Sequence, residues 1–100
     1  MVARIAIDRE GLADFCRRHR IRRLAFFGSV LRDDFRPESD IDVLVEFESG
    51  ARVGLIALAG MELELSELLG RKADLRTAAD LSRYFRQAVL DQADVQYEAG

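Results

Sequence analysis

The sequence predicts an α/β (α+β) fold: one small domain, residues 1–100, in which short strands alternate with helices. Three observations predict it. Apolar residues recur with a helical period over 9–20, 55–69 and 80–92, whereas 24–27 reads as a short buried strand, 41–47 as a strand rich in β-branched and aromatic residues, and 71–75 and 95–97 as further short strands. A chain of 100 residues can build one core but not two. Finally, two acids, Asp40 and Asp42, open the strand at 41–47, ten residues after Gly28-Ser29 closes the strand at 24–27.

Each element has a local reason. Residues 5–7 form a short lead-in, and Asp8 is a suitable N-cap for the helix 9–20, on which Leu12, Phe15, Cys16 and His19 follow the i, i+3, i+4, i+7 spacing of a buried stripe. His19 ends that stripe, which favours a partly buried histidine near a helix C-terminus over a general base. Arg17, Arg18, Arg20, Arg22 and Arg23 crowd the helix end and the link to the first strand. Such a cluster is usually a solvated face, although an acidic partner, nucleic acid or nucleotide phosphates would also suit it. Strand 24–27 stops at Gly28; residues 30–33 read as one helical turn, and the loop 32–39 carries the only proline, Pro37, on its approach to Asp40. Strand 41–47 is followed by a polar turn at 48–52. Helix 55–69, ended by Gly70, places Leu55, Leu58, Met61, Leu65, Leu68 and Leu69 on one broad core stripe with Glu64 opposite. Ile56 and Leu63 fall off that stripe, as ordinary surface residues or as the edge of a protein contact. Strand 71–75 brings a third acid, Asp74; helix 80–92 packs Leu81, Phe85, Ala88 and Val89; and 95–97 closes the domain as an edge strand.

Composition excludes several classes. With 49% hydrophobic and 33% charged residues, the chain is ordinarily globular, and it has no apolar run of the roughly 20 residues a membrane span needs. Arg4, Asp8, Arg9 and Glu10 interrupt anything resembling a secretory leader, so a cytoplasmic protein is expected. One cysteine, Cys16, permits no intrachain disulfide and suits a buried structural thiol. The net charge of −3 argues against direct nucleic-acid binding driven by phosphate neutralisation. Fourteen of the fifteen basic residues are Arg, a bias that fits genome composition as well as phosphate contacts.

The acids carry the chemistry. Strand side chains alternate, so Asp40 and Asp42 point to one side and Ile41 and Val43 to the other. Paired carboxylates require a cation or a proton between them, and hard oxygen ligands without nearby His or Cys suit Mg²⁺ or Mn²⁺. Backbone N–H groups after Gly28-Ser29 are placed to face a phosphate. Arg32 either contacts a triphosphate or pairs with Asp33 or Asp34; Ser39 either caps the turn or hydrogen-bonds Asp40.

Gly28-Ser29, a ten-residue interval and Asp40-Ile41-Asp42 between apolar residues resemble the signature of the DNA polymerase β-like nucleotidyltransferase superfamily. Phe27-Gly28-Ser29-Val30-Leu31-Arg32 and the run from Ser39 to Phe47 resemble its minimal nucleotidyltransferase branch, the MntA-like antitoxins, and the likeness extends to Gly70-Arg71-Lys72-Ala73-Asp74-Leu75 and the C-terminus. Ala73 departs from the β-branched residue usual before the third acid. The resemblance implies a mixed sheet of three to four strands flanked by helices, with Asp40, Asp42 and Asp74 as catalytic metal ligands. It also implies Gly28, Ser29, Arg32 and Ser39 around the nucleotide, Mg²⁺ or Mn²⁺ as cofactor and ATP as substrate. The implied activity is AMP transfer to a tyrosine of a cognate HEPN-domain RNase toxin, with homo- or hetero-oligomeric assembly left open. The rival is an antitoxin without catalysis that neutralises its toxin by binding; an RNA-binding module built on the Arg17–Arg23 cluster is a third, weaker reading.

Overall fold

The structure is a computed structural model and describes residues 7–28, 40–81, 83–84 and 86–99. The expected helical turn at 30–33, the loop 32–39, Phe85 and three candidate site residues, Ser29, Arg32 and Ser39, lie outside the described residues.

Helix α1 spans Arg9–Arg18, and Asp8 caps it as expected, its carboxylate accepting the Gly11 N–H at 3.2 Å. The helix stops two residues before the predicted end. His19 is the C-cap and Arg20 adopts a positive φ of 58°, which breaks the helical path and turns the chain into strand β1, Ile21–Phe27. β1 is therefore longer than the predicted 24–27, and Arg22 and Arg23 are strand residues rather than linker. The extension is anchored by Ile21, buried in the core and partnered with Phe47, and is flanked by cross-strand charge, Arg22 with Glu46 on one neighbouring strand and Arg23 with Glu98 on the other. Strand β2, Ile41–Phe47, and helix α2, Leu55–Leu69, have the predicted bounds, and Gly70 ends α2 in the left-handed conformation at φ 70°.

α2 buries less than its stripe promised. Met61, Leu65 and Leu69 are buried and Leu58 and Leu68 pack beside them, but Leu55 is 85% exposed, because the helix meets the core only from Leu58 onward. Glu64 does not point away to solvent; it lies against the end of α1, bonded to Arg18 and His19. Strand β3 spans Ala73–Arg76, shifted toward the C-terminus from the predicted 71–75. The predicted helix 80–92 is divided. A 3₁₀ turn, Ala78–Asp80, is closed by reciprocal bonds between Thr77 and Asp80, and helix α3 is only Arg86–Gln92. Leu81 is buried outside the helix, Ala88 is exposed and Val89 half-buried, so α3 adds little to the core. Strand β4, Asp94–Glu98, is an edge strand as expected.

The four strands form one mixed sheet in the order β3-β2-β1-β4, with β3 parallel to β2 and the remaining pairs antiparallel. Period-two alternation gives the sheet two different faces. Leu24, Phe26, Ile41, Val43, Val45 and Leu75 pack with α1 and α2 into the core, each large side chain contributing about 1.5–3 kcal/mol on burial. Cys16 sits in this core, where burial pushes its thiol pKa up to about 12. Asp42, Leu44 and Glu46 occupy the opposite face by the same alternation. The outer edge of β3 is covered by α2: the Ser66 hydroxyl accepts the Ala73 N–H at 2.9 Å and the Glu62 carboxylate accepts the Leu75 N–H at 2.7 Å. These bonds fix the height of the strand that carries Asp74.

Candidate active site

Asp40 precedes β2, whose start is pinned to β3 by the Ile41 N–H donating to the Lys72 carbonyl at 2.9 Å. Two residues on, Asp42 is the Cα partner of Asp74 across the parallel β2–β3 pairing and of Phe27 across the antiparallel β1–β2 pairing. Adjacent strands stand about 4.8 Å apart, so Asp42 and Asp74 rise side by side from one sheet face. The structure thus brings together the acids the sequence singled out on separate strands.

Gly28 completes this corner. Its φ of 76° lies in the left-handed region, and a Cβ added there would run into the Asp42 carboxylate, with Asp42 Cγ only 3.2 Å away. The missing side chain is what lets the end of β1 pass beside the acid. Ser29, Arg32 and Ser39 belong to the segment outside the described residues.

Among the described residues, two cations that the sequence reading passed over stand against these acids. Lys72 Nζ lies 3.9 Å from Asp40 Oδ2, an open pair with side chains 77% and 50% exposed. Arg76 donates from Nη2 to Asp74 Oδ2 at 3.0 Å. The signal for Arg76 was present as Asp74-x-Arg76 on one strand, but ending that strand at residue 75 hid it. As donors, Asp40, Asp42 and Asp74 offer only carboxylate oxygens, the set that hard divalent cations take. Among the described residues, no three His, Cys, Asp or Glu side chains are gathered closely enough to hold a metal ion. The backbone register already sets Asp42 beside Asp74.

Along the same sheet face, beginning at Leu44, lies an apolar cavity of about 440 Å³ lined by Ala25, Leu44, Phe47, Ala78, Leu90 and Val95 among others. Arg23 and Glu46 also line it, each already paired, with Glu98 and Arg22 respectively. The arginine cluster of the sequence is likewise engaged with acids: Arg18 with Asp14 and Glu64, and Arg20 with Glu48 at 3.5 Å. Around Arg18, Arg20, Arg22 and Arg23 this is a salt-bridged surface rather than an open anion site. Among the described residues, no helix is long and apolar enough to cross a membrane.

A mixed four-stranded sheet with α1 and α2 packed on one face, and three acids at the β2–β3 corner beside a left-handed glycine, is the architecture of a nucleotidyltransferase. The chain belongs to the nucleotidyltransferase domain family, which matches it over residues 9–95. It is 33% identical over 70 residues to the protein adenylyltransferase MntA of Thermococcus cleftensis, covering 70% of this chain and 69% of that protein. A solved structure provisionally described as a minimal nucleotidyltransferase superposes with a TM-score of 0.69 at 39% identity, over 85% of both chains. A toxin–antitoxin structure solved with AMP-PNP shares the fold, at a TM-score of 0.73 and 20% identity over 93% of this chain and 75% of that one.

Proposed function

We propose that this protein is the antitoxin of a toxin–antitoxin pair and acts by transferring AMP from ATP to a hydroxyl of its toxin, a tyrosine of a HEPN-domain RNase. The observation that carries the reading is the side-by-side register of Asp42 and Asp74 next to Gly28. The similarity to a protein adenylyltransferase supports the reaction type, and the fold shared with a toxin–antitoxin complex that holds an ATP analogue supports the partner and the nucleotide.

In this reading Asp40, Asp42 and Asp74 would hold Mg²⁺ or Mn²⁺, and the ion when bound supplies Lewis-acid neutralisation of the triphosphate and lowers the acceptor pKa. Gly28, Ser29, Arg32 and Ser39 would hold the nucleotide, Gly28 and Ser29 at its β- and γ-phosphates. The acceptor oxygen forms a bond to the α-phosphorus while the bond from that phosphorus to the bridging oxygen of pyrophosphate breaks. Asp74 either ligates the metal or takes the acceptor proton, and pyrophosphate leaves. The protein's share of the work is placement and charge neutralisation, as is general for phosphoryl transfer.

The test is incubation with ATP, Mg²⁺ and the toxin encoded beside the protein's own gene, followed by mass spectrometry. A gain of one or more AMP units on a toxin tyrosine is expected from the wild type and none from Asp42→Ala, whose fold should persist by circular dichroism. If no mass shift appears and the Asp40→Ala/Asp42→Ala protein neutralises the toxin as well as wild type, the catalytic reading fails and an antitoxin that acts by binding alone replaces it.

A further inference from the structure

We propose that Arg76 is a positioning residue for Asp74: its guanidinium holds that carboxylate apart from Asp42 and releases it when a divalent cation binds. The proposal rests on the nucleotidyl-transfer reading and adds to it a residue that sets how readily the site takes its metal.

The placement follows from the strand. Asp74 and Arg76 are two positions apart on β3 and so share a sheet face, the one on which Asp42 stands. Across the pairing, Asp42 is the partner of Asp74, whereas the partner of Arg76 is Leu44, an apolar residue with nothing to offer a guanidinium. Arg76 therefore turns back along its own strand and donates to Asp74 Oδ2 at 3.0 Å, with the two side chains 49% and 32% exposed. Asp80 also lies within the field of Arg76, but its carboxylate is engaged by the Thr77 N–H and hydroxyl at 3.0 and 3.1 Å.

Neighbouring carboxylates repel unless a cation compensates them. Arg76 is charged at every accessible pH, so it supplies that compensation without a metal. It does so from a strand position whose partner on β2 is Leu44, two residues beyond the Asp42–Asp74 pair. That agrees with a site in which, among the described residues, no three potential ligands converge. A divalent cation must then win Asp74 from Arg76 before all three acids can share it. Lys72 stands in a similar relation to Asp40, but at 3.9 Å and more exposed, so its hold is the weaker one. A half-exposed pair of this kind is worth little, which makes the exchange easy and sets the expected effect at roughly two- to five-fold in metal affinity.

The experiment is calorimetric titration of the full chain with Mn²⁺ alone, without nucleotide, in wild type, Arg76→Gln, Arg76→Lys, Asp74→Asn and the Arg76→Gln/Asp74→Asn double variant. Arg76→Gln should bind Mn²⁺ about two- to five-fold more tightly than wild type, and Arg76→Lys should stay near wild type because it keeps the cation. In the Asp74→Asn background the Arg76→Gln change should have no effect, since the carboxylate it releases is gone. An equal gain in that background would mean that Arg76 acts through its charge at large, and the proposal would be overturned. It would also be overturned if Arg76→Gln bound Mn²⁺ no better than wild type in a protein that transfers AMP, an outcome that leaves the nucleotidyl-transfer reading standing. If the wild type neither binds Mn²⁺ nor transfers AMP, both fall together.

Discussion

At the scale of single residues, the most demanding position is Gly28, where two constraints coincide: a backbone at φ 76° and a carboxylate occupying the space a Cβ would need. Gly50 has a similar backbone, φ 87°, with nothing within 4 Å of its Cβ position. The two glycines separate strain from crowding. Gly50→Ala should cost only the left-handed penalty, about 1–2 kcal/mol, or roughly 4–15 °C in melting temperature for a domain of this size, with transferase activity unchanged. Gly28→Ala should cost at least as much and also push Asp42 aside, so activity should fall on the order of 100-fold, as misplacement of reacting groups commonly causes. Melting curves and AMP-transfer rates on both variants decide it; equal activity in the two would show that the Asp42 carboxylate tolerates displacement.

At the scale of elements, α1 and α2 are joined at their ends by Glu64, which accepts from Arg18 and lies 2.8 Å from His19 Nε2, while Arg18 also donates to Asp14 at 2.9 Å. Bonding from Arg18 first and His19 second holds the Glu64 carboxyl below the usual carboxylate range. A carboxyl whose pKa is depressed by folding contributes stability that is present above its unfolded pKa and lost as pH falls through the folded one. Unfolding free energy, measured by urea titration from pH 7 down to pH 3, should therefore decline below about pH 4.5 more steeply in wild type than in Glu64→Gln. Parallel curves would mean the linkage is fully screened by solvent. This contact also shows what a sequence withholds. The helical period located α2 correctly, and the alternation in 41–47 put Asp42 on the face away from the core, because both are local properties of the chain. Where Glu64 points, how far β1 extends past Arg22 and Arg23, and why 80–92 does not remain one helix depend on partners distant in sequence. Phe47 receives the buried Ile21 and so extends the strand, α1 claims Glu64, and the Thr77–Asp80 box closes a turn before α3 can begin. The site divides in the same way. Asp40, Asp42 and Gly28 were legible from spacing, whereas Asp74 came only through family resemblance, because strand order has no local signature.

At the scale of the whole molecule, charge and exposed apolar surface oppose each other. The net charge is −3 at neutral pH and the sequence isoelectric point is about 5.1, so electrostatic repulsion between copies vanishes under mildly acidic conditions. Around the α1–β1 junction the positive field is partly neutralised, since Arg18, Arg20, Arg22 and Arg23 are each matched to an acid. What remains exposed on α2 is strongly apolar: Ile56 at 91%, Leu55 at 85% and Leu63 at 72%. Ile56 and Leu63 are seven residues apart and so lie on one side of the helix, away from the buried Met61, Leu65 and Leu69. Light scattering across pH should therefore show reversible self-association of the wild type centred near pH 5, fading on both sides as net charge returns. Replacing Ile56 and Leu63 together by Ser should suppress that maximum. Because neither side chain contributes to the core, the melting temperature at pH 7 should fall by only a few degrees, reflecting about 0.5 kcal/mol per exposed site. A double variant that associates as strongly as wild type near pH 5 would remove α2 as the cause, and one that unfolds would show these side chains to be buried in solution.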